Sequence, residues 1–284
     1  MPYPNKHEPA DTLPCFPVLQ QKLISLLHQL SPEEWNTRTF PGTWTAGDIA
    51  AHLLDGNLRG IAAMRDNVTI PMEQDGTMEG LIQALNAVNA QGIEQYRRLG
   101  QRLVTDLIEW SGELYVQVLQ STDPMAPAIF PVAWAGETQS TNRFHIAREY
   151  TEKWHHHQQI LSAVEKVDDP VHGILTPELY IPFLDTIFMG LPWHLEQSSI
   201  KESIAVEILI RHRHFEKQYR FFINVSQTLQ EDDYPVQCRL ILPADIAWRI
   251  FMTRKYKHHH RSLAIIEGDQ QTGQLMLDYV AVMA

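Results

Sequence analysis

Cysteine is scarce. Cys15 and Cys238 are the two in the chain, and they stand far apart. No CxxC or zinc-finger spacing is present, so a disulfide scaffold and a thiolate metal site are not expected, and a reducing cytoplasm is the expected compartment. Basic residues are also short. The 23 lysines and arginines face 34 acids, giving a formal net charge of −11. That deficit argues against nucleic acid and against an anionic membrane surface as partners. The basic stretches at 211–214 and 255–261 are local exceptions and read as exposed strand ends or loops. No window approaches the roughly 20 apolar residues that a membrane helix needs. The N-terminal segment lacks the apolar centre of a signal peptide. Internal repeats, a P-loop, a G-x-G-x-x-G and a G-x-S-x-G are all missing. The expected partner is a small molecule, and the expected assembly a monomer or homodimer.

What is present is an ordinary globular composition. The 284 residues, 44% hydrophobic and 20% charged, suit one large or two modest domains. Residues 1 to about 16 carry four prolines and read as an extended arm. Val18 to Leu30 is an amphipathic helix with Leu19, Leu23, Leu26, Leu27 and Leu30 on one face. Ser31-Pro32-Glu33-Glu34 reads as a capped short turn, and Phe40 to Trp44 as a turn. Thr45 caps a helix running to Asp66, with Asp48 completing a relative of the capping box. Residues 66–76 read as a loop. Met78 to Gln120 is a long helical pattern that Gly92, Gly100 or Gly112 would bend or divide. Asp123 to Gln139 is irregular and carries Phe130, Trp134 and Glu137, which would either wall a pocket or pack onto the helices.

The next helix, Asn142 to about Lys166, sorts its polar residues onto one stripe. With His145 at zero, Glu149, Glu152, His156 and Gln159 all fall within about 40° on a helical wheel. Such a stripe faces either water or a metal. Glu152 and His156 are spaced i,i+4, over one turn, as helices that offer two donors to one ion do. A third donor must come from elsewhere. His52 lies on the Thr45-capped helix, with Asp48, Asp55 and Arg59 on its face, and either aspartate would orient its second nitrogen. A lone histidine there is usually a satisfied core residue or a surface one.

After Val167-Asp168-Asp169-Pro170 the pattern changes. An apolar helix over 177–189 precedes strand-like runs at 204–210, 219–225, 236–242 and 263–266, with helices at 244–253 and 273–282. This order predicts two domains: residues 1–166, a four-helix bundle, and 167–284, a smaller α+β domain with a mainly antiparallel sheet.

Several of these segments carry a family resemblance. WTAGDIAAHLLDGNLR (44–59) resembles the second helix of the DinB-like superfamily, and more closely its maleylpyruvate isomerase branch. AREYTEKWHHHQQI (147–160) resembles that branch's later metal helix. LPADIAWRIFMT and IIEGDQQTGQLMLDYVAVMA resemble its sterol-carrier-like C-terminal domain. The resemblance implies that His52, Glu152 and His156 are three metal ligands. It also implies a low-molecular-weight thiol, such as mycothiol or bacillithiol, as cosubstrate. One departure stands out: the family often has Asp three residues after the metal histidine, and here that residue is Gln159.

Two imidazoles and a carboxylate suit Zn²⁺ first, with Ni²⁺, Fe²⁺ or Mn²⁺ as alternatives. Three protein ligands leave an open position, the mark of a catalytic site. The expected function is a divalent-metal-dependent enzyme that activates a small thiol for S-transfer or isomerisation. His145, Glu149 and Gln159 stand as candidate bases or supports, and Arg59 as a candidate anion holder. A metal-dependent hydrolase is an alternative. So is a non-enzymatic protein that binds metal or a hydrophobic ligand.

Overall fold

The computed structural model describes residues 8–40, 42–70, 78–200, 202–223, 234–252 and 260–281. The expected arm through residue 7, the loop at 71–76, strand residues 224–225, the basic run at 255–259 and the helix end at 282 lie outside them. The chain forms two compact units. Among the described residues, one comprises 11–130 and 140–180, the other 8–10, 131–139 and those from 181 to 281.

The first unit is helical, with α1 (Cys15–Gln29), α2 (Pro32–Trp35), α3 (Ala46–Asp66), α4 (Met78–Tyr96), α5 (Gln101–Gln120) and α6 (Asn142–Ala163). Helices α1, α3, α5 and α6 pack as the core of a bundle, and α4 lies on α3. Leucines 19, 23, 26, 27 and 30, on the face read from the sequence, are all buried. Helix α1 begins before Val18 because a turn at Thr12 to Cys15 nucleates it, Cys15 N–H donating to the Thr12 carbonyl at 2.9 Å. The long helical pattern divides at Arg97–Gly100, where a turn closes from Leu99 N–H to the Tyr96 carbonyl and Gly100 is extended. Gly92 and Gly112 lie inside helices. Helix α6 stops at Ala163, short of Lys166, because Glu165 takes a left-handed conformation (φ 56°). Its inner side buries Phe144, Tyr150 and Trp154, the last stacked on Tyr180 at 4.8 Å. The loop after α6 is tied to α1: His172 Nε2 lies 3.2 Å from Ser25 Oγ, and its Nδ1 lies 3.1 Å from Asp169.

Helix α7 (Pro177–Ile187) runs from one unit into the other. The second unit adds α8 (Leu191–Glu196), β1 (Ile204–Arg211), β2 (Glu216–Ile223), β3 (Val236–Pro243), α9 (Ala244–Met252), β4 (Ile265–Gly268) and α10 (Gln270–Asp278). The sheet order is β2-β1-β3-β4. Both outer pairings are antiparallel, as expected, and the central pairing of β1 with β3 is parallel. Strand β1 is buried along all but its last residue, as a central strand covered on both faces must be. Its one acid, Glu207, is paired with Arg239 at 2.7 Å. Gly268 ends β4 with φ +90°, and a side chain there would strike the Gln237 carbonyl. Trp134 is buried inside this unit against Gly190.

Candidate metal centre

Two capped helices present the site. Thr45 caps α3, its hydroxyl accepting from Asp48 N–H at 3.1 Å while the Asp48 carboxylate accepts from Thr45 N–H at 2.9 Å. The same carboxylate takes two hydrogen bonds from Arg97, at 2.7 and 3.0 Å. Burial raises the Asp48 pKa, but Arg97 and the cap outweigh it and hold the group below its usual range. Asp48 is therefore committed to the cap and does not orient His52. Asp55 is paired with Arg59 at 2.7 Å. Among the described residues His52 Nδ1 has no hydrogen-bond partner.

The other nitrogen of His52 faces α6. His52 Nε2 is 3.3 Å and His156 Nε2 3.1 Å from the same oxygen, Glu152 Oε1. The two imidazoles meet edge to face at 4.6 Å between centroids. One donor atom from each of the three residues lies within 4.8 Å of the others, the one such group of three or more among the described residues. Both histidine side chains are nearly buried at 6% exposure, whereas Glu152 keeps 36%, so the cluster meets solvent on the carboxylate side.

The donor set fits a divalent ion. His156 Nδ1 lies 2.7 Å from the Gln159 carbonyl oxygen, which can only accept. His156 therefore donates from Nδ1 to Gln159, and its Nε2 is the nitrogen that faces the carboxylate. Burial raises the Glu152 pKa, but the two imidazoles overcome it and hold the group well below its usual range, so it is ionised. A lone pair and an anion at that separation repel unless a positive charge stands between them. Either an imidazole proton or a metal ion supplies it. Burial pushes the His52 imidazole below its ordinary value and keeps it neutral, the form in which histidine ligates.

The rest of the stripe is accounted for as follows. Glu149 accepts from Tyr115 O–H at 2.9 Å and from Arg148 at 2.6 Å. Burial would raise its pKa, but Arg148, His145 and Lys153 lower it to about 2. Arg148 also donates to His145 Nδ1 at 3.1 Å, and burial followed by that cation pushes His145 down to about 4. The Lys153 ammonium bonds the Asn57 side chain and lies 5.1 Å from the centre of the Tyr115 ring. Its pKa falls to about 8, with burial as the cause. Arg59 is held by Asp55 and Asn89, and its charge adds to the forces that lower the His52 pKa.

Sequence reasoning missed Trp44. Its ring lies 5.2 Å from that of His52 and 6.2 Å from that of His156. A bridge between Arg38 and Thr45 and two hydrogen bonds from Thr39 to the Trp44 carbonyl fix it there. Its place just before the cap of the helix bearing His52 was the available signal. Arg148 stands next to Glu149 and three residues after His145 on α6, a spacing that was also available; Tyr115 gave no signal, because nothing local in the sequence pairs it with Glu149.

Residues 18–161 match the family described as mycothiol maleylpyruvate isomerase N-terminal domain, about half of the chain. The chain belongs to this family. The fold agrees. The crystal structure of a histidine-to-alanine mutant of the mycothiol-dependent maleylpyruvate isomerase is 10% identical, with 90% of this chain and 91% of that one covered at a TM-score of 0.51. A second crystal structure of the mycothiol-dependent maleylpyruvate isomerase is 11% identical, with 84% and 86% covered at a TM-score of 0.49. No curated protein matches the chain. No helix among the described residues is long and apolar enough to cross a membrane.

Proposed function

We propose that this member of the maleylpyruvate isomerase family is a divalent-metal-dependent enzyme that activates a low-molecular-weight thiol for S-transfer or isomerisation. The observation that carries the reading is the convergence of His52 Nε2 and His156 Nε2 on Glu152 Oε1. His52, Glu152 and His156 would hold the ion, with Zn²⁺ the best match to two nitrogens and one oxygen and Ni²⁺, Fe²⁺ and Mn²⁺ as alternatives. A divalent ion there supplies Lewis acidity that makes a thiol ionise near neutral pH. A mycothiol-like thiol is the cosubstrate that the family points to.

The chain's own residues set the surroundings. Glu152 gives the ligand set its one negative charge and its opening to solvent. Trp44 walls the two imidazoles and shields them from water. Glu149, ionised and locked between Arg148 and Tyr115, orders this side of the bundle. It is held too firmly to serve as a mobile base. His145, neutral and accepting from Arg148 through Nδ1, has its proton on Nε2 and can donate from there to a bound substrate. Arg59, already paired, contributes through Asp55.

The deciding experiment is metal content of tag-free protein, wild type against a His52→Ala/His156→Ala double variant, followed by turnover of an electrophilic substrate with and without added thiol. About one ion per chain in the wild type only, with thiol-dependent turnover, supports the proposal. Turnover unchanged without thiol would replace it with metal-dependent hydrolysis.

A further inference from the structure

The contact between His156 and Gln159 has a consequence of its own. His156 is almost buried, and the Gln159 amide oxygen lies 2.7 Å from its Nδ1. Gln159 sits three residues along α6, on the same face, so the helix itself aligns the pair. A carbonyl oxygen has no proton to give. The shared proton therefore belongs to Nδ1, and Nε2 is the nitrogen left to face Glu152, 3.1 Å from its Oε1.

We infer that Gln159 is a positioning residue: it presents His156 as a neutral, Nδ1-protonated ligand, and by being uncharged it leaves Glu152 as the only negative charge in the donor set. The inference rests on the metal-site reading above and deepens it. A hydrogen-bond acceptor on the outer nitrogen of a ligating histidine fixes the tautomer and the ring orientation. A charged acceptor there would also make the imidazole a stronger base. With an amide in that place, a divalent ion bound by His52, Glu152 and His156 keeps a net positive charge. That favours a thiol arriving as its monoanion, with loss of one proton, over a neutral donor.

The geometry also separates this role from ordinary packing. A residue needed only to fill space would tolerate an isosteric apolar side chain. One needed for its oxygen would not. One needed for its oxygen alone would accept a carboxylate of the same length.

The test uses Zn²⁺ affinity measured by competition with a chromophoric chelator, for wild type, His156→Ala, Gln159→Leu and Gln159→Glu, with the melting temperature of each metal-free protein as a check on folding. Gln159→Leu should bind Zn²⁺ roughly 10- to 100-fold more weakly, the usual cost of losing an outer partner of a metal ligand. Gln159→Glu should bind at least as tightly as the wild type. In Zn²⁺-loaded protein, nitrogen NMR should find the His156 proton on Nδ1 in the wild type and in Gln159→Glu. In Gln159→Leu that proton should exchange rapidly with water. Wild-type affinity in Gln159→Leu would overturn the inference. So would weakened binding in Gln159→Glu, which decides the matter if the leucine variant does not fold. Equal binding by wild type and His156→Ala would overturn the site reading, and this inference with it.

Discussion

The indole of Trp44 lies against the imidazole of His52, ring centroids 5.2 Å apart, and it extends to His156 at 6.2 Å. An aromatic ring this close to a paramagnetic ion loses its fluorescence. Titration with Co²⁺ or Ni²⁺ should therefore quench part of the emission of the seven tryptophans. Trp44→Phe should remove that part while leaving the metal stoichiometry unchanged. Quenching of the same size in Trp44→Phe would show that the ion binds elsewhere.

Stability should track the ion through the same residues. Zn²⁺ at a hundred times its dissociation constant should add about 2.7 kcal/mol to the wild type. Glu152→Gln, which keeps the shape and removes the charge, should lose most of this gain. Thermal melts with and without Zn²⁺ provide the comparison. An equal upward shift in both proteins would contradict the assignment of Glu152.

Acid should weaken the helical unit partly through His145. Its imidazole, 4% exposed, is pushed by burial and by Arg148 down to about 4. In the unfolded chain it titrates near 6.5, about 2.5 units higher, so the unfolded state takes up the proton first. The contribution is complete above about pH 6.5 and is lost as pH falls toward 4, amounting to about 3 kcal/mol at most. Urea denaturation across this range should show a shallower fall in stability for His145→Gln than for the wild type. Parallel curves would remove His145 as a cause.

Close packing should make residue 60 intolerant of a side chain. A Cβ on Gly60 would stand 2.6 Å from the Tyr115 ring, which is itself buried and bonded to Glu149. Gly60→Ala should cost about 1–3 kcal/mol as the ring is forced aside. Tyr115→Phe, which spares the packing and removes one hydrogen bond, should cost about 1 kcal/mol. Denaturation midpoints rank the two, and a neutral Gly60→Ala would mean that the ring moves freely.

Much of this was legible in the chain itself, for reasons that are local. The α6 stripe follows from helical period alone, and the caps at Ser31 and Thr45 announce their helices by residue type. The α+β order of the second half was readable from apolar runs bounded by turn residues. What escaped is non-local or polar. Strand β2 begins at Glu216, earlier than expected, because Glu216, Lys217 and Gln218 are polar and lie on a sheet edge, where pairing rather than burial defines the strand. Strand β4 lies at 265–268 instead of 263–266 because Arg261–Leu263 forms a 3₁₀ turn. The parallel match of β1 with β3 joins segments that no short-range pattern connects. In the site, Glu152 and His156 could be paired from spacing, but His52 entered through family resemblance. Trp44 could be placed only once the turn before α3 was seen.

Glu152 lies 100 residues beyond His52 in sequence, on a different helix. An ion held by both would be a removable cross-link closing a long loop. Loops of that length carry a large closure entropy, which such a link would withdraw from the unfolded chain. Loading would therefore be coupled to assembly: α3 and α6 must already be side by side for the three donors to meet, and once loaded they would part only as the ion leaves. Retention of the ion and persistence of the bundle would then decay together, so slow metal loss would serve as a clock for the opening of the helices.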